Sequence, residues 1–237
     1  MAAKLDTQSK DELGFSEKIS EQIGDVIQKN RMKLLVALAA IVLVIAAFIV
    51  VSLVREKSQS NALSKVDALN RRYERIKTNL SSGEPLDISQ QLELGVLLID
   101  LTEFENNNSG FAAARAYSMS ASINMDQKNW ILAEEEWLKA ADAAPKSYLA
   151  PIAVYNAAVS AEEDGNSESA IAHYSRAAGF GESFPAAARA QFSVGRLEES
   201  RGNKDSAIEA YRNLLAKWPN EPVWANLAQN RLLILSD

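Results

Sequence analysis

Apolar positions follow three different patterns along this chain of 237 residues. From Leu34 to Val54 they are continuous, LLVALAAIVLVIAAFIVVSLV, a run of 21 residues in which Ser52 is the only polar one. At about 1.5 Å of rise per helical residue the run extends roughly 31 Å, the thickness of the hydrocarbon core of a bilayer. A helix satisfies every backbone amide internally in that medium, so the pattern predicts one transmembrane helix over residues 34–54. A cleaved signal sequence has an apolar region of about 7–15 residues behind a short basic start. This run is longer and follows 33 residues, so the helix is expected to stay as an anchor.

Ahead of the run, in residues 1–33, Phe15, Ile19, Ile23 and Ile27 recur four apart with Val26 beside them, among six basic and six acidic residues. This spacing predicts an amphipathic helix, either a docking or membrane-surface element or a plain extension of the anchor. Lys29, Arg31 and Lys33 precede the apolar run and Arg55 and Lys57 follow it. Long translocated domains escape the charge rule, so the short basic side decides, and the N-terminus is expected in the cytoplasm with the C-terminal part across the membrane. Beyond the run, residues 55–110 predict an irregular helix pair. Ala62, Val66, Leu69, Tyr73, Ile76 and Leu80 alternate spacings of four and three up to the turn Ser81–Pro85, and a second apolar stretch, Leu92 to Leu101, stops at ENNNSG. The first stripe has the spacing of a coiled-coil seam, but under four heptads it is better explained as packing on its neighbour, as a degenerate first repeat.

Residues 111–237 repeat. Asn129, Asn166 and Asn203 lie 37 apart, each preceded by a turn residue (Lys128, Gly165, Gly202) and followed by a small residue (Ala133, Ala170, Ala207) and an aromatic (Trp137, Tyr174, Tyr211). Ala140, Ala177 and Leu214 follow in phase, and Pro145 and Pro219 close the first and third units at the same offset, with Pro185 three residues late in the second. Small residues let two helix backbones approach while the aromatic packs over the crossing. These positions resemble the tetratricopeptide repeat, a helix-turn-helix unit, most closely over Ala188–Glu221 with Val194 and Gly195 at the close contact; Gln191 and Glu198 depart from its apolar pattern. The resemblance implies an α-solenoid of three helix hairpins, which with the single transmembrane helix expected from the apolar run makes the fold all-α. Residues 221–237, with Trp224, Leu227, Ala228, Arg231 and Leu232, form a capping helix over the last apolar face.

In such repeats the first helix of each unit lines the concave, partner-binding face. Carried onto this sequence, those positions are Arg115, Ser118, Ser122 and Met125 in the first unit, Ile152, Tyr155, Val159 and Glu162 in the second, and Phe192, Arg196 and Glu199 in the third. Tyr155, Phe192 and Arg196 are residue types that anchor partners. Each of these positions has half-buried packing as its plainer explanation. The basic cluster that holds a C-terminal carboxylate in chaperone-linked members of the family is missing, with Ser118 and Ser122 in the corresponding places.

Composition narrows the chemistry. The chain has no Cys and one His, His173, which starves thiolate, zinc and histidine-triad sites of their parts, so no catalytic residue, metal or cofactor is expected. His173 is expected to be a surface or partly packed imidazole. Glu134–Glu136 and Glu162–Asp164 are runs of carboxylates that point about 100° apart on a helix and read as solvated faces. A net charge of −6 argues against a nucleic-acid partner. An anchored interaction module is the expectation. The order of parts resembles the ancillary subunit of the bacterial Sec translocon, which implies an inner-membrane location, a periplasmic repeat domain and a link between secretion and periplasmic chaperones. The rival expectation is a structural scaffold of an envelope machine, such as a flagellar-motor periplasmic collar or a cell-wall assembly complex.

Overall fold

The computed structural model describes the backbone of residues 3–80 and 86–236, and the side chains of residues 30–77 apart from 34, 37, 54 and 55, and of residues 86–236. Among the described residues the secondary structure is helical, with no strand: α1 (Ala3–Leu80), α2 (Ile88–Asn107), α3 (Gly110–Asp126), α4 (Trp130–Ala143), α5 (Leu149–Glu163), α6 (Ser167–Ala178), α7 (Ala187–Ser200), α8 (Lys204–Lys217) and α9 (Pro222–Ser236). The protein is all-α. Two compact units divide the chain, Met1–Gln59 and Ser60–Asp237.

The first unit carries the apolar run. Its described side chains from Leu35 to Leu53 are exposed, and by length and composition this part of α1 is long and apolar enough to cross a membrane. Its one hydroxyl, on Ser52, donates to the carbonyl of Phe48 four residues back at 2.8 Å, so the polar group is satisfied within its own helix. The expected amphipathic face at Phe15, Ile19, Ile23, Val26 and Ile27 lies outside the described residues.

The second unit begins with the end of α1. Ala62, Val66, Tyr73 and Ile76 are buried against Leu94, Leu97, Leu101 and Phe104 of α2 and against Ala112, Ala116, Met119 and Ile123 of α3, with Leu69 packed at the edge. The seam-like stripe is therefore covered by the chain itself. Arg72 with Asp100, and Arg115 with Asp67, tie α1 to α2 and α3 from the rim of this cluster. The expected turn at 81–85 and Leu80's side chain lie outside the described residues. Helix α2 starts four residues earlier than the apolar stretch indicated, because Asp87 and Gln90 cap each other's backbone amides.

Helices α3 to α9 pack in chain order, each on the next. Alanines make this close stacking possible: Ala121, Ala133, Ala140, Ala157, Ala170, Ala177 and Ala190 lie in one core with Trp137 and Tyr174. The third hairpin shows how close the approach is, since a Cβ added to Gly195 would stand 2.5 Å from the Tyr211 ring. The turns inside the hairpins need a left-handed residue, which Gly165 (φ 82°) and Gly202 (φ 79°) adopt freely and Lys128 (φ 60°) adopts at some cost. The three extra residues that place Pro185 late form a 3-10 turn at Gly181–Ser183, after which Phe184 is buried. Helix α9 sets Ala228, Trp224 and Leu232 over Ala207, Tyr211 and Leu214.

Candidate functional site

The first helices of the three hairpins, α3, α5 and α7, carry all the residues expected to line a partner-binding face, and the structure distributes them unequally. A hollow of about 440 Å³ gathers Phe192, Arg196 and Glu199 of α7 with Ser200, Tyr211 of α8 and Arg231 of α9. A second hollow, of about 260 Å³, has Arg115, Ser118 and Ser122 on one side and Asn70, Tyr73, Glu74 and Lys77 of α1 on the other. Met125, Ile152, Tyr155, Val159 and Glu162 lie outside both.

Pairing across the repeats gives the face its character. Tyr174 donates its hydroxyl to Glu162 at 3.0 Å, and one repeat later Tyr211 donates to Glu199 at 3.1 Å. The same offset of twelve residues joins Trp137 to Met125, whose sulfur accepts the indole N–H at 3.1 Å. Each carboxylate is then met by an arginine from the following element. Arg196 bonds both oxygens of Glu162 at 2.6 and 2.7 Å, and Arg231 grips Glu199 through Nε and Nη2. Val159 occupies the arginine's place beside the apolar Met125 pair and packs against the core. Burial pushes the Tyr174 hydroxyl far above its ordinary value, with the Glu162 charge adding to the effect, so it is a hydrogen-bond donor at any physiological pH.

The aromatic anchors expected from sequence are also held by packing. Tyr155 is half-buried, its ring 5.3 Å from Tyr174 and 5.9 Å from Phe184, with the Arg189 guanidinium 5.5 Å over its face. Phe192 lies between Tyr211 and Trp224 at 5.4 and 5.6 Å. Ile152 stands exposed, and Met125 is half-buried. Arg115 reaches Asp67 at 2.6 Å, while the Ser118 and Ser122 hydroxyls donate to carbonyls of their own helix at 2.8 Å. Arg231 and Arg189 are not among the residues that the sequence marks for this face. The repeat spacing gave no signal for Arg231, because 37 residues beyond Arg196 the chain has Leu233 and the arginine that reaches Glu199 comes two residues earlier on α9.

Three of the expected solvated carboxylates, Glu134, Glu136 and the Glu162 already described, are instead half-buried and engaged. Glu134 lies 2.8 Å from His173 Nε2, joining α4 to α6, and Glu136 accepts from Lys139 at 2.8 Å while its other oxygen is buried without a hydrogen bond. The α4 helix turns both toward its neighbours, which a count of consecutive glutamates does not reveal. Above them Glu105 of α2 is only 8% exposed and accepts from Ser120 at 2.6 Å. Desolvation, with help from the Glu136 charge, pushes its carboxyl up to about 7. Among the described residues no cluster of three or more His, Cys, Asp or Glu residues is arranged to hold a metal ion.

A family model for the tetratricopeptide repeat matches residues 119–183 and again 155–222. Over residues 119–222 the chain is thus similar to tetratricopeptide repeats. The chain is also similar to a TPR repeat-containing protein of Treponema pallidum (strain Nichols), 38% identical over 127 residues, which are 54% of this chain and 52% of that protein. It thus spans about half the length of the curated relative it matches. Tetratricopeptide repeats generally mediate protein–protein contacts, which makes the face built by α3, α5 and α7 the candidate interaction surface.

Proposed function

We propose that this protein is a membrane-anchored interaction module whose tetratricopeptide repeats receive partner proteins on the far side of the membrane from its N-terminus. The observation that carries the binding part of the reading is the hollow of Phe192, Arg196, Glu199, Tyr211 and Arg231, an aromatic floor ringed by charges already neutralised in pairs. A partner segment entering it meets the Arg196 and Arg231 guanidinium donors and the half-buried Phe192 ring without having to neutralise a bare charge, which suits a protein surface of mixed chemistry. The exposed run from Leu35 to Leu53, with its single hydroxyl satisfied internally, supports the anchor.

The location we propose is the bacterial inner membrane, with the N-terminus cytoplasmic and the repeats periplasmic. The role is that of an ancillary translocon subunit linking secretion to chaperones. The chain has no cysteine, which makes a thiol test of this topology clean. Lys10→Cys and Asn213→Cys chains are exposed in turn, in cells with a permeabilised outer membrane, to a thiol reagent that cannot cross the inner membrane. Labelling of Asn213→Cys alone is expected. Labelling of Lys10→Cys alone reverses the orientation, and labelling of both removes the anchor. A scaffold of an envelope machine is separated from this role by stoichiometry, since a scaffold co-purifies with its neighbour in fixed ratio and a chaperone-type module releases it.

A further inference from the structure

At the end of α2, from Thr102 to Asn107, only Phe104 and Glu105 are buried. Phe104 belongs to the apolar cluster with α1 and α3, so one of the two side chains that pin this end is a carboxyl. Glu105 accepts from Ser120 of α3 at 2.6 Å, and Glu136 of α4 acts on its charge. Glu136 in turn spends one oxygen on Lys139 and keeps the other buried without a hydrogen bond. With both acids ionised, two negative charges face one positive charge, and Lys139 is half exposed, so water screens it. A carboxylate at Glu105 is costly in that setting, whereas a neutral carboxyl bonded to Ser120 is not.

The joint beside it has room to turn. Only Asn108 and Ser109 separate α2 from α3, Ser109 makes no side-chain cap, and Gly110 adopts φ 68° with nothing within 4 Å of where a Cβ would stand. We infer that Glu105 is a proton-dependent latch, which holds the end of α2 on the α3–α4 hairpin while its carboxyl is protonated and lets that end swing out when it ionises. The groups that face it are Tyr117 and Ser120 from α3 and Glu136 and Lys139 from α4. From α1, Lys65 lines a hollow with Glu103, Phe104 and Asn107 that Glu105 does not enter. Burial, and after it the Glu136 charge, raise the docked carboxyl to about 7, against the Ser120 bond, which favours the charged form. The sign follows: docking is favoured while the proton stays on and weakens as pH rises through 7. The latch thus makes the joint between the α1–α2 pair and the repeats sensitive to pH near neutrality.

Hydrogen exchange read by mass spectrometry tests this on the full chain in detergent micelles, from pH 6 to 8, with each rate divided by the intrinsic rate of a free amide at that pH. Protection of the amides at 102–107 is expected to fall about tenfold over this range, as a carboxyl displaced from 4.5 to about 7 requires. Opening of one helix end exposes little surface, so the fall should be the same with and without a low, non-denaturing concentration of urea. Glu105→Gln, which keeps the shape and the Ser120 bond without a charge, should abolish the fall, and Glu136→Gln, which removes the neighbouring charge, should reduce it. Protection at 102–107 that does not change with pH, or a fall that survives Glu105→Gln, overturns the latch. So does exchange at 102–107 that rises steeply with urea, because those amides would then open only when the whole chain unfolds.

Discussion

Replacing Glu105 by glutamine should make the protein more stable at neutral pH and erase part of its pH dependence. Glu105 is held under α3 and α4, with Ser120 donating to it at 2.6 Å, Tyr117 on the same helix as Ser120, and Glu136 and Lys139 facing it from α4. Its carboxyl rises from an ordinary 4.5 to about 7, chiefly because burial disfavours the charge. A group whose folded pKa is raised binds its proton more tightly in the folded chain. Its stabilising effect is therefore complete below about 4.5 and is lost as pH rises through 7. At about 1.4 kcal/mol per pH unit the displacement corresponds to about 3 kcal/mol, so the wild-type protein loses up to that amount between pH 4.5 and 8 through this residue alone. Glutamine keeps the shape and can accept from Ser120 without a charge to desolvate. Urea unfolding followed by the fluorescence of Trp130 and Trp137 on α4, at intervals from pH 5 to 8, gives the difference between variant and wild type. That difference should be small at pH 5 and grow to about 1–3 kcal/mol in favour of the variant by pH 8. A difference that stays constant across the range would mean that Glu105 does not titrate there and that its burial costs nothing.

Three further outcomes follow from the same geometry. Gly195→Ala should destabilise by about 1–2 kcal/mol in thermal melts, because the new methyl meets the fully buried Tyr211 ring and overpacking exceeds the gain in helix propensity. Gly95→Ala, with open space around its Cβ, should stabilise by up to about 1 kcal/mol, and equal effects at the two glycines would refute the packing described here. Tyr211→Ala should cost roughly 3–5 kcal/mol, and a loss below about 1 would place Tyr211 outside the helix crossing.

The repeats were legible because their signal is local. A left-handed turn residue, a small residue and an aromatic at fixed offsets from Asn129, Asn166 and Asn203 follow from how two adjacent helices must pack, and the structure buries Trp137, Tyr174 and Tyr211 where that pattern put them. The partners of the groove residues were not legible, since Arg196–Glu162 and Arg231–Glu199 join helices of different units and depend on how the hairpins stack. Tyr155 and Phe192 illustrate the same limit. Residue type marked them as anchors, but only the stacking reveals rings half-buried against Tyr174, Phe184, Tyr211 and Trp224. Glu105 carried no signal at all, because its burial comes from α4, which begins well beyond it in the chain.

Photocrosslinking in intact cells tests the central claim most directly, with reactive groups placed at Ile152, exposed on α5, and at Ser200, on the rim of the hollow between α7 and α9. The account predicts specific protein adducts from both positions, weakened when Arg231→Ala and Phe192→Ala open the hollow, and none from a group at Asn213. Adducts equally abundant from Asn213, or none from Ile152 and Ser200, would contradict the assignment of this face as the partner-binding surface.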